Sequence, residues 1–263
     1  MAESTLSLQY TDFFRGVGNF LGHGWYTSTY STQENAQVEV IVQTGYRRFL
    51  FPEPLAGESG SHVWSFLSPL STLDTAEDDI DYDLPDTFGG LIGDQITINE
   101  SGLYQPIPVR GEGQVRAAHR ASSLTGRPQY AAVRPKSSTG STGQRFELLV
   151  YPTPDGVYTM EYRFNVLTGK LTVSLPYPLG GAEHGDTIME SCLSVAEQIK
   201  NNERGLHTLA FKERLAASVS YDRRMFSPPT LGYNGDNSDS RGGHSVAVRY
   251  PEYEGVIYGD FAP

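Results

Sequence analysis

With 263 residues the chain is long enough for one large domain or two small ones, and 31 Asp and Glu against 20 Lys and Arg give a net charge of −11. That balance argues against a nucleic-acid-binding surface, which needs clustered cations to release counterions, although it does not forbid the wall of a channel through which DNA slides without sticking. One cysteine, Cys192, excludes an intrachain disulfide, and no run approaches the ~20 apolar residues of a membrane helix.

Residues 1–5 carry neither a basic region nor an apolar run, so the expectation is a soluble protein made inside a cell. Thr11-Asp12 then precedes Phe13, Phe14, Val17, Phe20 and Leu21, with Gly22 following. This predicts a short first helix, weakened by Gly16 and Gly18. Ser31 and Glu34 have capping-box spacing ahead of Val38, Ile41, Val42, Gly45 and Phe49. The predicted second helix carries Tyr46, Arg47 and Arg48 in its last turn, where cations suit the dipole, and stops before Pro52.

The composition then changes. Trp64–Leu67, Ile96–Ile98, Gln129–Arg134, Arg145–Tyr151 and Val157–Phe164 are short and rich in aromatic or β-branched residues. Pro152-Thr153-Pro154-Asp155-Gly156 is expected to turn the last two into a hairpin. Tyr158, Met160, Tyr162 and Phe164 alternate with polar residues, as in a half-buried strand. Glu112–Ala121 is expected as a short helix. Asp74–Asp86, with seven carboxylates, is expected as a solvated loop, and Ser137–Gly143 as a mobile loop tip.

Asp186–Arg224 predicts two further helices. Thr187 and Glu190 have capping-box spacing, and Ile188, Cys192, Val195, Ala196 and Ile199 form one apolar stripe. The break at 201–205 is assigned to a left-handed Gly205. Phe211, Leu215, Val219 and Asp222 mark one face of the last helix. Such a hairpin cannot bury both stripes alone, and docking it on the N-terminal pair completes a core. The expected fold is therefore α+β. It comprises a discontinuous four-helix bundle from residues 1–51 and 180–226, a large antiparallel β-rich insertion over 52–179, and an extended C-terminal arm over 227–263. With few aliphatics, the arm is expected to stay disordered or lie along another subunit, anchored by Tyr233, Tyr250, Tyr253 and Tyr258.

Signatures of chemistry are sparse. Histidines 23, 62, 119, 184, 207 and 244 lack zinc-site spacing. Asp79-x-Asp81-x-Asp83 begins like a calcium loop but has Leu84 where the turn needs Gly and Gly90 where Glu should close the site. Gly16-Val17-Gly18 lies inside a predicted helix, and 139–143 lacks the Lys of a phosphate loop. No GxSxG elbow occurs, although a Ser-His-Asp triad assembled in space stays open. The acidic run 74–86 could supply the paired carboxylates of a glycosidase. No catalytic residue, metal site or cofactor is assigned.

The order of features resembles the head-to-tail adaptors of tailed bacteriophages. That family includes the tubular tail protein A of short-tailed phages and the smaller helical connectors of long-tailed ones. The likeness is carried by Tyr10-Thr11-Asp12, Gly45-Tyr46-Arg47-Arg48-Phe49, Trp64–Leu67, Tyr82–Asp86, Gly126-Arg127-Pro128 and Glu213–Ser218. The resemblance implies a virion protein at the head–tail junction, with no enzymatic activity. It implies a homo-oligomeric ring of roughly twelve copies beneath the portal protein. The ring would extend the DNA channel, without specific DNA binding, and present a surface to a nozzle or other tail protein. It also implies that Tyr46, Arg47 and Arg48 serve an intersubunit interface and that the arm docks on the portal. Alternatives are a tail-tube or nozzle component, a carbohydrate-active tail enzyme using 74–86, and a monomeric cellular binding module.

Overall fold

A computed structural model describes residues 4–55, 60–93, 95–100, 103–141 and 143–225. Helix α1, Tyr10–Leu21, starts where the Asp12 carboxylate accepts from Gln9 N at 2.9 Å, and ends at Gly22 with φ of 98°. Helix α2, Thr32–Leu50, opens on the predicted box: Ser31 Oγ accepts from Glu34 N at 3.3 Å and Glu34 accepts from Ser31 N at 2.6 Å. Near the other end of the chain lie α4, Gly185–Asn201, and α5, Leu206–Met225. One apolar core gathers Phe13 and Val17 from α1, Val38, Ile41 and Phe49 from α2, Ile188 and Cys192 from α4, and Leu215 and Val219 from α5. The first fifty residues thus fold back on helices far downstream.

The sheets are antiparallel throughout. The first holds β1 (Leu70–Asp74), β3 (Phe88–Leu91), β4 (Gln95–Glu100), β5 (Leu103–Pro108) and β8 (Thr159–Val166). Its main order is β1-β8-β4-β5, with β3 also on β8. The second has the order β2-β7-β6, with β2 at Asp81–Asp83, β6 at Tyr130–Pro135 and β7 at Phe146–Tyr151. Helix α3 spans Glu112–Ala121, as predicted. Strand β7 is buried on both faces: Leu148 and Val150 join Ile96, Ile98 and Met160 of the first sheet, while Leu149 and Tyr151 pack with Val115 of α3. That explains the apolar run from Leu148 to Tyr151, since a central strand covered on both sides has no solvent face to alternate with. The chain is α+β.

Several local expectations are corrected. Strands β7 and β8 form no hairpin; they lie in different sheets, because β7 is already paired by β2 and β6 on its two edges, and residues 152–158 cross between sheets. The hairpin is β6–β7 instead, joined by the 136–145 segment. The acidic stretch is no simple solvated loop, since Asp81–Asp83 pair with β7 as a strand. Trp64 sits wholly buried in the helical core, leading a 3₁₀ turn over Ser65–Leu67, and Leu67 and Leu171 join it there. Thr187 and Glu190 form no capping box. The helix starts earlier, so Thr187 lies inside it with Oγ1 2.7 Å from Ser218 Oγ of α5. The left-handed residue ending α4 is Asn202, φ 54°, not Gly205. Ile199 of the predicted stripe is half exposed.

Candidate interaction surface

Helix α2 ends in the three residues singled out by sequence, and its amphipathic winding sends them different ways. Tyr46 faces inwards, 3% exposed, and its hydroxyl accepts a hydrogen bond from Leu179 N at 3.0 Å. Burial raises its pKa above the ordinary phenol value. Arg48 Nη2 donates to Gln198 Oε1 of α4 at 3.0 Å. Only Arg47 of the three is exposed. Tyr46 is therefore committed to its own chain. The arm residues Tyr233, Tyr250, Tyr253 and Tyr258 lie outside the described residues.

Beyond Arg48 the chain turns at Phe51-Pro52 and leaves a groove of about 680 Å³ against the second half of α4 and the first half of α5. Phe51, Leu55, Phe211 and Leu215 supply apolar walls, and Arg48, Arg204 and Lys212 supply cations. Glu197 holds the α4–α5 turn in shape. Its carboxylate accepts from Gly205 N at 3.0 Å, Thr208 N at 3.2 Å and His207 N at 3.4 Å, satisfying the open amides at the start of α5. Burial opposes its ionisation, yet the three backbone N–H groups hold its pKa below the ordinary value. Sequence spacing did not single out this residue, because a cap donated from another helix leaves no local signature.

A serine, a histidine and a carboxylate, the members of the triad left open by sequence, meet at Asp222. Its carboxylate accepts from Ser65 N at 3.2 Å and from Ser65 Oγ, and stands 2.8 Å from His62 Nε2. A hydrolytic triad needs imidazole between hydroxyl and carboxylate, so that it can take the serine proton. Here the carboxylate stands between the other two. The arrangement serves to fasten residues 62–65 onto α5. His184 packs nearby among Phe49, Trp64, Phe66 and Tyr221, its Nδ1 buried without a hydrogen-bond partner among the described residues. Burial lowers its pKa below 6.5, against the pull of Asp222 and Glu183.

The acidic strand is likewise engaged. Arg134 reaches Asp81 at 3.1 Å and also pairs with Glu147, while Lys136 reaches Asp83 at 2.5 Å. The Lys136 hydrogen bond holds the Asp83 pKa below its usual value. A glycosidase acid needs the opposite shift, so that it keeps a proton to give. Cys192 is a buried thiol pushed up to about 12, the reverse of a reactive thiolate. Among the described residues, no three His, Cys, Asp or Glu side chains are grouped to hold a metal ion, and no helix is long and apolar enough to cross a membrane. Compared with models of known protein families and with curated proteins, the chain matches none.

Proposed function

We propose that the protein is a structural virion component, a head-to-tail adaptor whose copies form a ring under the portal, extend the DNA channel and dock the tail or nozzle. The helices α1, α2, α4 and α5 act as a discontinuous four-helix bundle that forms the ring. Residues 52–179 act as the insertion facing the next tail component, and residues 227–263 act as the portal-binding arm.

The observation that carries this reading is the union of α1 and α2 with α4 and α5 in one core across more than a hundred intervening residues. The resemblance required that union, and a sheet-only tail-tube component would lack it. Helices with exposed apolar side chains such as Val40 and Leu209 gain stability when neighbouring copies cover them. The clusters Asp222–Ser65–His62 and Asp81–Arg134–Glu147 act as fasteners, which favours a structural role over the carbohydrate-active alternative. Deleting residues 227–263 tests the arm: the truncated protein keeps its fold and no longer joins the portal. Glycan release that vanished in an Asp81→Asn, Asp83→Asn variant would instead establish the enzyme.

A further inference from the structure

The groove beside α2 differs in sign from the chain that carries it. Its walls are apolar, its charged lining among the described residues is Arg48, Arg204 and Lys212 against Glu53, and no ion pair within those residues takes up Arg204 or Lys212. The whole chain is nevertheless at −11. Apolar walls flanked by cations select a polypeptide segment that carries aromatic side chains and carboxylates together. Guanidinium and ammonium groups also sit favourably over aromatic faces.

The sequence contains such a segment. Residues 250–261 hold Glu252, Glu254 and Asp260 with no Lys or Arg, interleaved with Tyr253, Val256, Ile257, Tyr258 and a final Phe261. We propose that the groove receives residues 250–261 of a second copy. Residues 226–249 can span up to roughly 80 Å at ~3.4 Å each, enough to reach a neighbour. The groove is lined by α5 from Thr208 to Ala216, and the chain leaves α5 at Met225, roughly 20 Å along the axis from the middle of that stretch. A contact of groove on one copy with tail of the next is heterologous, and it repeats around a closed ring. In a ring this gives residues 250–261 to the neighbouring copy and leaves the portal-binding role of the arm to residues 227–249; the contact between copies stands whether or not the ring meets a portal.

The test uses full-length chains in sedimentation velocity. Reversing the groove (Arg204→Glu, Lys212→Glu) weakens self-association about tenfold or more, and reversing the tail (Glu252→Lys, Glu254→Lys) does the same. Mixed in equal amounts, the two variants associate again to within about threefold of the unaltered protein, because each now offers what the other lacks. The recovery also demonstrates that both variants are folded. Three results overturn the proposal: an unaltered chain that stays monomeric, a variant that associates like the unaltered chain, or a mixture as dispersed as its components. The last would place the tail on its own copy or on another partner. A ring on the portal that forms regardless of these charges would sink this inference and leave the adaptor reading intact.

Discussion

Gly45 on α2 lies against the backbone of Cys192 on α4, so close that a Cβ on the glycine would stand 2.5 Å from Cys192 Cα and 2.7 Å from its N. Ser191 Oγ closes the same crossing by donating to Gly45 O at 2.7 Å. This is a close backbone-to-backbone joint between α2 and α4. Backbone cannot step aside as a flexible side chain can, so Gly45→Ala should cost roughly 1–3 kcal/mol through overpacking. In α3, Gly113 has open space around its Cα, and Gly113→Ala should instead stabilise by about 0.5–1 kcal/mol. Urea midpoints at constant slope check both.

Glu197→Gln should loosen the start of α5, because an amide offers only one acceptor oxygen to amides now shared between two. The loss should be about 1 kcal/mol, the usual cost of a missing cap. The pH dependence is a sharper readout. The folded-state pKa lies below the ordinary 4.5, so this stabilisation is full above that value and is lost as pH falls through the folded pKa. Acid titration of the helical signal should show that loss in the unaltered protein and a shallower slope in the variant.

His184 gives a second pH signature at a different place. Its folded pKa lies below 6.5, so the unfolded chain binds the proton more readily, and stability declines as pH drops below about 6.5 towards the folded value. Phenylalanine keeps the ring contacts with Phe49, Trp64 and Phe66 and cannot take up a proton. Thermal melts of His184→Phe should therefore flatten between neutral pH and the carboxylate range, with little change in the melting temperature at pH 8.

Asp222→Ala should cost about 2–3 kcal/mol, since it removes a buried charged acceptor and leaves the half-buried donors of Ser65 and His62 unpaired. Ser65→Ala should cost about 1 kcal/mol. Near-equal losses would mean that the serine hydroxyl carries the joint and that the His62 contact contributes little.

Much of the helical architecture was legible because its signals are local. The Ser31–Glu34 box, Gly22 and Pro52 punctuate α1 and α2, and the stripe through Ile188, Cys192 and Val195 marks the buried face of α4. Glu112–Ala121 was predicted to the residue. Sheet pairing was not legible, because alternation in β8 and the apolar run in β7 describe each strand's faces and leave its neighbours unspecified. The capping box at Thr187 misled because Thr187 serves Ser218 across the hairpin and Glu190 serves His207. At the candidate surface, sequence singled out the last turn of α2 but could not separate inward Tyr46 from outward Arg47. The groove escaped notice because residues 48–55 form it together with the α4–α5 hairpin far downstream.

The adaptor account is tested most directly by electron microscopy of the purified protein mixed with portal. It predicts an added ring, coaxial with the portal and continuous with its channel, that disappears when residues 227–263 are removed. Portal particles unchanged by the full-length protein, under conditions where both are folded, would contradict it.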